Sequence, residues 1–162
     1  MIFSLTTAKP DNFRRGLLVA SAIWVLGTGT GNAAMCLVVL AESSEREVAA
    51  LPLGRETAIH LDFINSIYLA PVRETFVYDP AEGLCLTQIE TPSAGVFEYY
   101  GLVPDPSGRI RMQRRLGPIR LLSHDYQNHW LTVGERRLHL KGLVEDGRPL
   151  VLTVRTEGEC GP

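Results

Sequence analysis

The fold class of this chain is decided by one stretch near its end, residues 129–140, whose sequence is HWLTVGERRLHL. Apolar and polar residues alternate on both sides of a central Gly-Glu pair, and glycine at the first position of a two-residue turn favours a β-hairpin. That register places Leu131 opposite Leu138 on one face and Trp130 opposite His139 on the other. The stretch therefore predicts two paired antiparallel strands.

Similar patterns recur on the N-terminal side of this hairpin and after it. Residues 57–63 alternate with the period of a half-buried strand, and residues 72–78 and 84–90 flank a turn that contains Pro and Gly. Short apolar runs at 35–40 and 150–154 predict further strands. No segment of this part of the chain has the periodicity of an amphipathic helix. We therefore expect an all-β fold, a single small sandwich or barrel-like domain of about eight to ten short strands.

Two more strands are expected on either side of residues 101–108, a loop with two prolines and two glycines. Residues 96–100 and 109–113 could pair across it. Alternation in the second of these places Arg109 and Arg111 on one face. Such a row could hold a carboxylate or phosphate, but a charged strand face is more often solvated and protects a sheet edge.

Composition restricts the class of protein. Of the 162 residues, 45% are apolar and 21% are charged, which is typical of a globular protein. The net charge of −2 provides no field that would attract nucleic acid, so we expect no nucleic-acid partner. Residues 35–162 suffice for one β-rich domain.

The N-terminal segment, residues 1–34, predicts export. Arg14 and Arg15 precede the apolar run Leu17–Leu26, which has the length of a signal-peptide core. Small residues follow, so cleavage after Ala33 or Ala34 is expected. The alternatives are an uncleaved membrane anchor, which would be the only membrane contact, and a buried helix of a cytoplasmic protein. We expect a periplasmic or cell-envelope location. An uncleaved anchor would hold the domain at the inner membrane.

Three cysteines occur without a C-x-x-C pair, so no zinc ribbon or thioredoxin-like motif is predicted. They are Cys36, Cys85 and Cys160, and the simplest interpretation of Cys36 and Cys85 is that they are small buried hydrophobic residues. If one disulfide forms, Cys36 and Cys85 are the pair to test first, because both lie in predicted strands.

Two polar segments are candidates for function. Residues 65–74 join two predicted strands and combine Asn, Ser, Tyr, Arg and Glu with a proline, although Asn and Ser in such a position often bond only their own backbone. Residues 124–129 hold His124, Asp125 and His129. A metal site there would need a third ligand at a recognised spacing, which is absent. A nucleophilic triad would need a G-x-S-x-G turn, which is also absent.

These segments together resemble the bacterial domain-of-unknown-function family 1850. The resemblance spans residues 35–155, and its carriers are Cys36–Leu40, Asn65–Glu74, Thr91–Tyr100 and Asn128–Leu131. The family motif begins with His-Ser and continues to a Pro that is followed by a Glu. This chain has Asn in the histidine position and keeps the other three residues.

The resemblance implies a small exported or membrane-tethered domain with an accessory part in solute uptake. Many members lie beside genes for tripartite periplasmic (TRAP-type) transporters of the TAXI class, so transporter subunits or a small anionic solute are the expected partners. It also implies that residues 65–74 and the Tyr99-Tyr100 pair form one surface or pocket. The expected contact residues are Asn65, Ser66, Pro71, Arg73, Glu74, Tyr99 and Tyr100.

The resulting hypothesis is a non-enzymatic accessory or binding protein without metal or cofactor. Arg73 would pair with an anionic group, Glu74 would orient Arg73 or accept from the ligand, and the two tyrosines would supply apolar area with a polar tip. The alternatives are a periplasmic hydrolase or metal-dependent enzyme that uses residues 124–129, and a purely structural cell-envelope module.

Overall fold

A computed structural model describes residues 35–55, 57–103, 105–124 and 126–160. They belong to one compact unit. The predicted signal peptide or anchor, residues 1–34, lies outside the described residues. In the described part of the chain, no helix is long and apolar enough to cross a bilayer.

The described residues form ten strands and one helix. The strands are β1 (Cys36–Ala41), β2 (Arg46–Pro52), β3 (Ile59–Asn65), β4 (Ala70–Asp79), β5 (Gly83–Glu90), β6 (Arg109–Arg115), β7 (Ile119–Leu121), β8 (Trp130–Val133), β9 (Arg136–His139) and β10 (Leu150–Arg155). The helix α1 (Ala94–Tyr100) lies between β5 and β6.

The strands form two antiparallel sheets. The smaller sheet has the order β2-β1-β10-β7, and the larger has the order β6-β5-β4-β3-β8-β9. The prediction of a mostly β domain is confirmed for this part of the chain.

One hydrophobic core receives side chains from both sheets. Leu37 and Leu152 enter it from the smaller sheet, and Phe76, Leu61 and Leu131 enter it from the larger one. These five side chains are almost completely buried. Burial of a side chain of this size stabilises the fold by about 1.5–3 kcal/mol.

The hairpin of β8 and β9 has the predicted register. Leu131 pairs with Leu138, and Trp130 pairs with His139. The Trp130 and His139 rings stack with centroids 4.2 Å apart. The predicted hairpin of β4 and β5 is also present, with Asp79 paired to Gly83 at its turn.

The prediction of a strand at residues 96–100 is wrong, because this segment is part of helix α1. The Ser93 side chain accepts a hydrogen bond from the Val96 N–H, and Gly101 ends the helix at a φ of 70°. Such caps satisfy backbone groups that a short helix otherwise leaves unpaired. The strand β6 therefore pairs with β5 instead.

A disulfide joins Cys36 to Cys160, with 5.6 Å between the two Cα atoms. The proposed pairing of Cys36 with Cys85 is wrong, because Cys85 lies in β5, in the other sheet. Of Cys36 and Cys85, only Cys85 is a buried free thiol, as the simpler interpretation predicts, since Cys36 is in the disulfide.

Candidate functional site

The candidate segment 65–74 is a tight hairpin turn that runs directly into a strand. β3 ends at Asn65 and β4 begins at Ala70, and these two residues pair. The Asn65 side-chain oxygen accepts hydrogen bonds from the backbone N–H groups of Ile67 and Tyr68, both at 3.0 Å. Asn65 therefore shapes the turn, as the simpler interpretation of this segment predicts, and Ser66 lies exposed within it.

The turn exposes large apolar side chains. The exposed fraction is 68% for Ile67 and 78% for Leu69, and Tyr68 is also exposed. Leu69 has a φ of 49°, in the left-handed region that costs a residue other than glycine roughly 1–2 kcal/mol. Leu69 thus combines an unfavourable backbone conformation with an exposed apolar side chain. Such departures from local preference are typical of functional positions.

Helix α1 packs against this turn. A Cβ atom at Gly95 would lie 2.3 Å from Cε1 of Tyr68, so the tyrosine ring lies directly on the glycine backbone. Tyr99 is four residues after Gly95, which places it on the same side of the helix one turn later. We call Ile67, Tyr68, Leu69 and Tyr99 the apolar tip.

A single side-chain hydrogen bond also links the helix to β4. The Tyr100 hydroxyl donates to Oε1 of Glu74 at 2.5 Å. Burial raises the pKa of Glu74, and the hydrogen bond from Tyr100 offsets this only in part. Burial and the nearby Glu74 charge raise the pKa of Tyr100. The predicted residues Glu74, Tyr99 and Tyr100 therefore lie at one end of the larger sheet, beside the turn.

The predicted residues Pro71 and Arg73 point to the opposite face of that sheet. Side chains alternate along a strand, and here Ala70 and Val72 are buried while Pro71 and Arg73 are exposed. The structure therefore divides the predicted contact residues between two faces.

The partner of Arg73 is Asp62 and not Glu74. Arg73 donates from Nε to Oδ1 of Asp62 at 2.6 Å and from Nη2 to Oδ2 at 3.1 Å. This bidentate hydrogen bonding is the largest cause that raises the pKa of Arg73. The expectation that Glu74 orients Arg73 is wrong, since the two side chains lie on different faces.

Arg73 belongs to a row that crosses the sheet. Each residue of the row pairs with the next one on the neighbouring strand. In order across the sheet, the row consists of Trp130, Asp62, Arg73, Glu90 and Arg109. Arg109 and Glu90 approach to 3.5 Å between Nε and Oε1. The row therefore alternates acidic and basic side chains.

An open groove of about 600 Å³ lies over this row. Its lining residues come from β3, β4, β5, β6 and β8 and from the loops beside them: Asp62, Phe63, Ile64, Pro71, Val72, Arg73, Glu90, Thr91, Pro92, Ser107, Gly108, Arg109, Asn128 and Trp130. Sequence reasoning missed Asp62, Glu90 and Trp130 as groove residues. Alternation indicates that they face outward, but only the strand order shows that they are neighbours.

The histidine segment is a packed loop. The His129 ring stacks on Phe63 at 5.8 Å and meets Tyr126 edge-on at 5.2 Å, while His124 is exposed. Asp125 lies outside the described residues. In the described part of the chain, no group of three or more His, Cys, Asp and Glu side chains is placed to hold a metal ion.

Comparison of the chain with protein-family models, with curated proteins and with solved structures gave no match. The resemblance to domain-of-unknown-function family 1850 stays a prediction that rests on the residues quoted for it.

Proposed function

We propose that this chain is an exported, non-enzymatic β-domain of the cell envelope that binds a protein partner through its apolar tip. The proposed partner is a subunit of a TRAP-type transporter of the TAXI class, and the role is accessory to solute uptake. The observation that carries the proposal is the exposed apolar tip, which packs against helix α1 through the contact between Tyr68 and Gly95.

The arrangement of the tip favours binding over chance exposure. Single exposed apolar residues are common on protein surfaces, but adjacent ones on a strained turn beside an exposed tyrosine are not. The Asn65 hydrogen bonds, the Tyr68–Gly95 contact and the Tyr100–Glu74 bond hold the tip in one conformation. A surface that is already ordered loses less conformational entropy on binding.

Charge favours a protein partner over a lipid surface. The turn and the helix, residues 65–70 and 93–101, contain Glu98 as their one charged residue and no Lys or Arg. Segments that bind anionic membranes combine apolar residues with Lys and Arg. A complementary apolar surface on a protein has no such requirement.

The tip also lies far from the start of the first strand. Tyr78, near the far end of β4, lines a small pocket with Val154, and Val154 pairs with Leu37 in β1. The ten-residue strand β4 spans about 30 Å. The start of β1 therefore lies near the end of β4 that is remote from the tip.

Two features support export. A disulfide such as Cys36–Cys160 persists in oxidising compartments and is rare in the cytosol. The apolar run Leu17–Leu26 has the length of a signal-peptide core.

The proposal is tested by crosslinked pull-down of the full chain, tagged at its C-terminus, from its native envelope. The tip variant carries Ile67→Ser and Leu69→Asn, since Asn tolerates the left-handed conformation. The matched control is Leu122→Ser, because Leu122 is 65% exposed and lies after β7, outside the tip.

We expect wild type and the Leu122 variant to recover transporter subunits and the tip variant to lose them. Equal recovery by the tip variant would reject the tip as the binding surface. A bait with Met1 intact in the soluble cytoplasmic fraction would reject export.

A further inference from the structure

The groove on the outer face of the larger sheet uses none of the apolar-tip residues, so it is a second, separate candidate site. Its floor carries Asp62, Arg73, Glu90 and Arg109 on four successive strands. Their formal charges alternate and sum to zero. Such a floor does not attract a net anion or cation from a distance, but it offers both signs within about 5 Å, the spacing of neighbouring strands.

The two ion pairs of the floor differ in how completely they are closed. Arg73 and Asp62 share two hydrogen bonds, at 2.6 and 3.1 Å. Arg109 and Glu90 are 3.5 Å apart at their nearest atoms, and the guanidinium of Arg109 makes no hydrogen bond to any of the described residues. Glu90 accepts a hydrogen bond from the Gln88 amide at Oε1. The Arg109 guanidinium therefore has N–H groups that can donate to a ligand. The Arg109 side chain is 51% exposed.

The remaining lining of the groove is substantially apolar. Ile64, Pro71, Pro92 and Trp130 contribute to it. Sites for small molecules commonly combine apolar walls with a few polar groups, in volumes of about 300–1,000 Å³. The groove therefore suits a small molecule that has an apolar part and a polar part with one positive and one negative charge.

We propose that this groove binds a small zwitterionic solute of the amino-acid type. The carboxylate of the solute accepts hydrogen bonds from the Arg109 guanidinium, its ammonium group donates to Glu90, and its side chain lies against Pro92, Pro71 and Trp130. The solute has no net charge, in agreement with the neutral floor.

The test is a fluorescence titration of the full chain with Trp24→Phe, which leaves Trp130 as the one tryptophan. The probes are L-phenylalanine, phenylpropanoate, which lacks the ammonium group, and phenethylamine, which lacks the carboxylate. Each analogue should bind more weakly than phenylalanine by about 10-fold or more, because a hydrogen bond to a charged group contributes roughly 1.5–3 kcal/mol. No response to millimolar phenylalanine, or equal binding of phenylpropanoate, overturns the proposal; the second result would indicate a simple anion site.

Variants separate the site from general effects of charge. Arg109→Ala should weaken phenylalanine binding by about 10-fold or more, whereas Arg111→Ala, on the same face of β6 but outside the groove, should leave it unchanged. Glu90→Gln should weaken the binding of phenylalanine and not that of phenylpropanoate. Equal losses in the Arg109 and Arg111 variants overturn the assignment, and circular dichroism of each variant verifies its fold.

Discussion

Arg73 and Glu74 are neighbours in sequence, yet they lie in opposite environments. Arg73 is half-exposed on the outer face of the larger sheet, where Asp62 and Glu90 surround it with compensating charge. Glu74 lies on the inner face beneath helix α1, with the Tyr100 hydroxyl as its donor. Adjacent charged residues in a strand therefore differ widely in solvation, and the same substitution has different consequences on the two faces.

The largest expected effect is on the inner face. Tyr100→Phe removes the donor and leaves the Glu74 carboxylate buried without it, so the free energy of unfolding should fall by about 2–3 kcal/mol. Urea unfolding of the purified variant measures this change. Tyr99→Phe is the matched control, since Tyr99 is 67% exposed, and it should stay near wild type. Similar losses in both variants would remove the contrast between the faces.

An intermediate effect depends on pH. Burial raises the pKa of Glu74 in the folded domain above its value in the unfolded chain. Between these two pKa values the folded state binds more protons, so this residue's contribution to stability is present at acid pH and is lost as pH rises through the folded pKa. Glu74→Gln keeps an acceptor for Tyr100 and removes the titration.

Urea unfolding of both proteins at a series of pH values sharpens the comparison. The Gln variant should gain on wild type as pH rises from about 4.5, the ordinary pKa of Glu, with a slope of at most about 1.4 kcal/mol per pH unit. Parallel stability profiles would contradict a raised pKa.

The smallest effect is expected on the outer face. Arg73→Ala removes a solvent-exposed ion pair with Asp62, and such pairs contribute about 0–1 kcal/mol. The loss should shrink further at high salt, because salt screens exposed charges. A double-mutant cycle with Asp62→Ala isolates the pair, and a coupling as large as the Tyr100 effect would mean that the two faces do not differ.

The elements that the sequence predicts well are those with local causes. Between Trp130 and His139 the turn residues and the alternation together determine the register, since a slip by one residue would expose the buried face. The same holds for the hairpin that turns between Asp79 and Gly83. Helix α1 escaped prediction because seven residues are too few to show helical periodicity, although Ser93 and Gly101 mark its ends.

The groove was harder to predict, because its residues become neighbours only through the order of the strands in the sheet. Asp62, Glu90 and Arg109 come from three separate strands and become neighbours only once the order β3-β4-β5-β6 is known. The cysteine pairing was wrong for a related reason. Cys36 finds its partner in the tail after β10, a segment without a strand pattern of its own.

The Cys36–Cys160 bond also determines how the domain responds to pulling. It joins residues 124 positions apart, at the beginning of β1 and just after β10. Tension applied between the segment that precedes Cys36 and the residue that follows Cys160 passes through the covalent bridge, and the strands between them carry almost no load. A domain pulled between its two termini would therefore keep both sheets and the apolar tip intact.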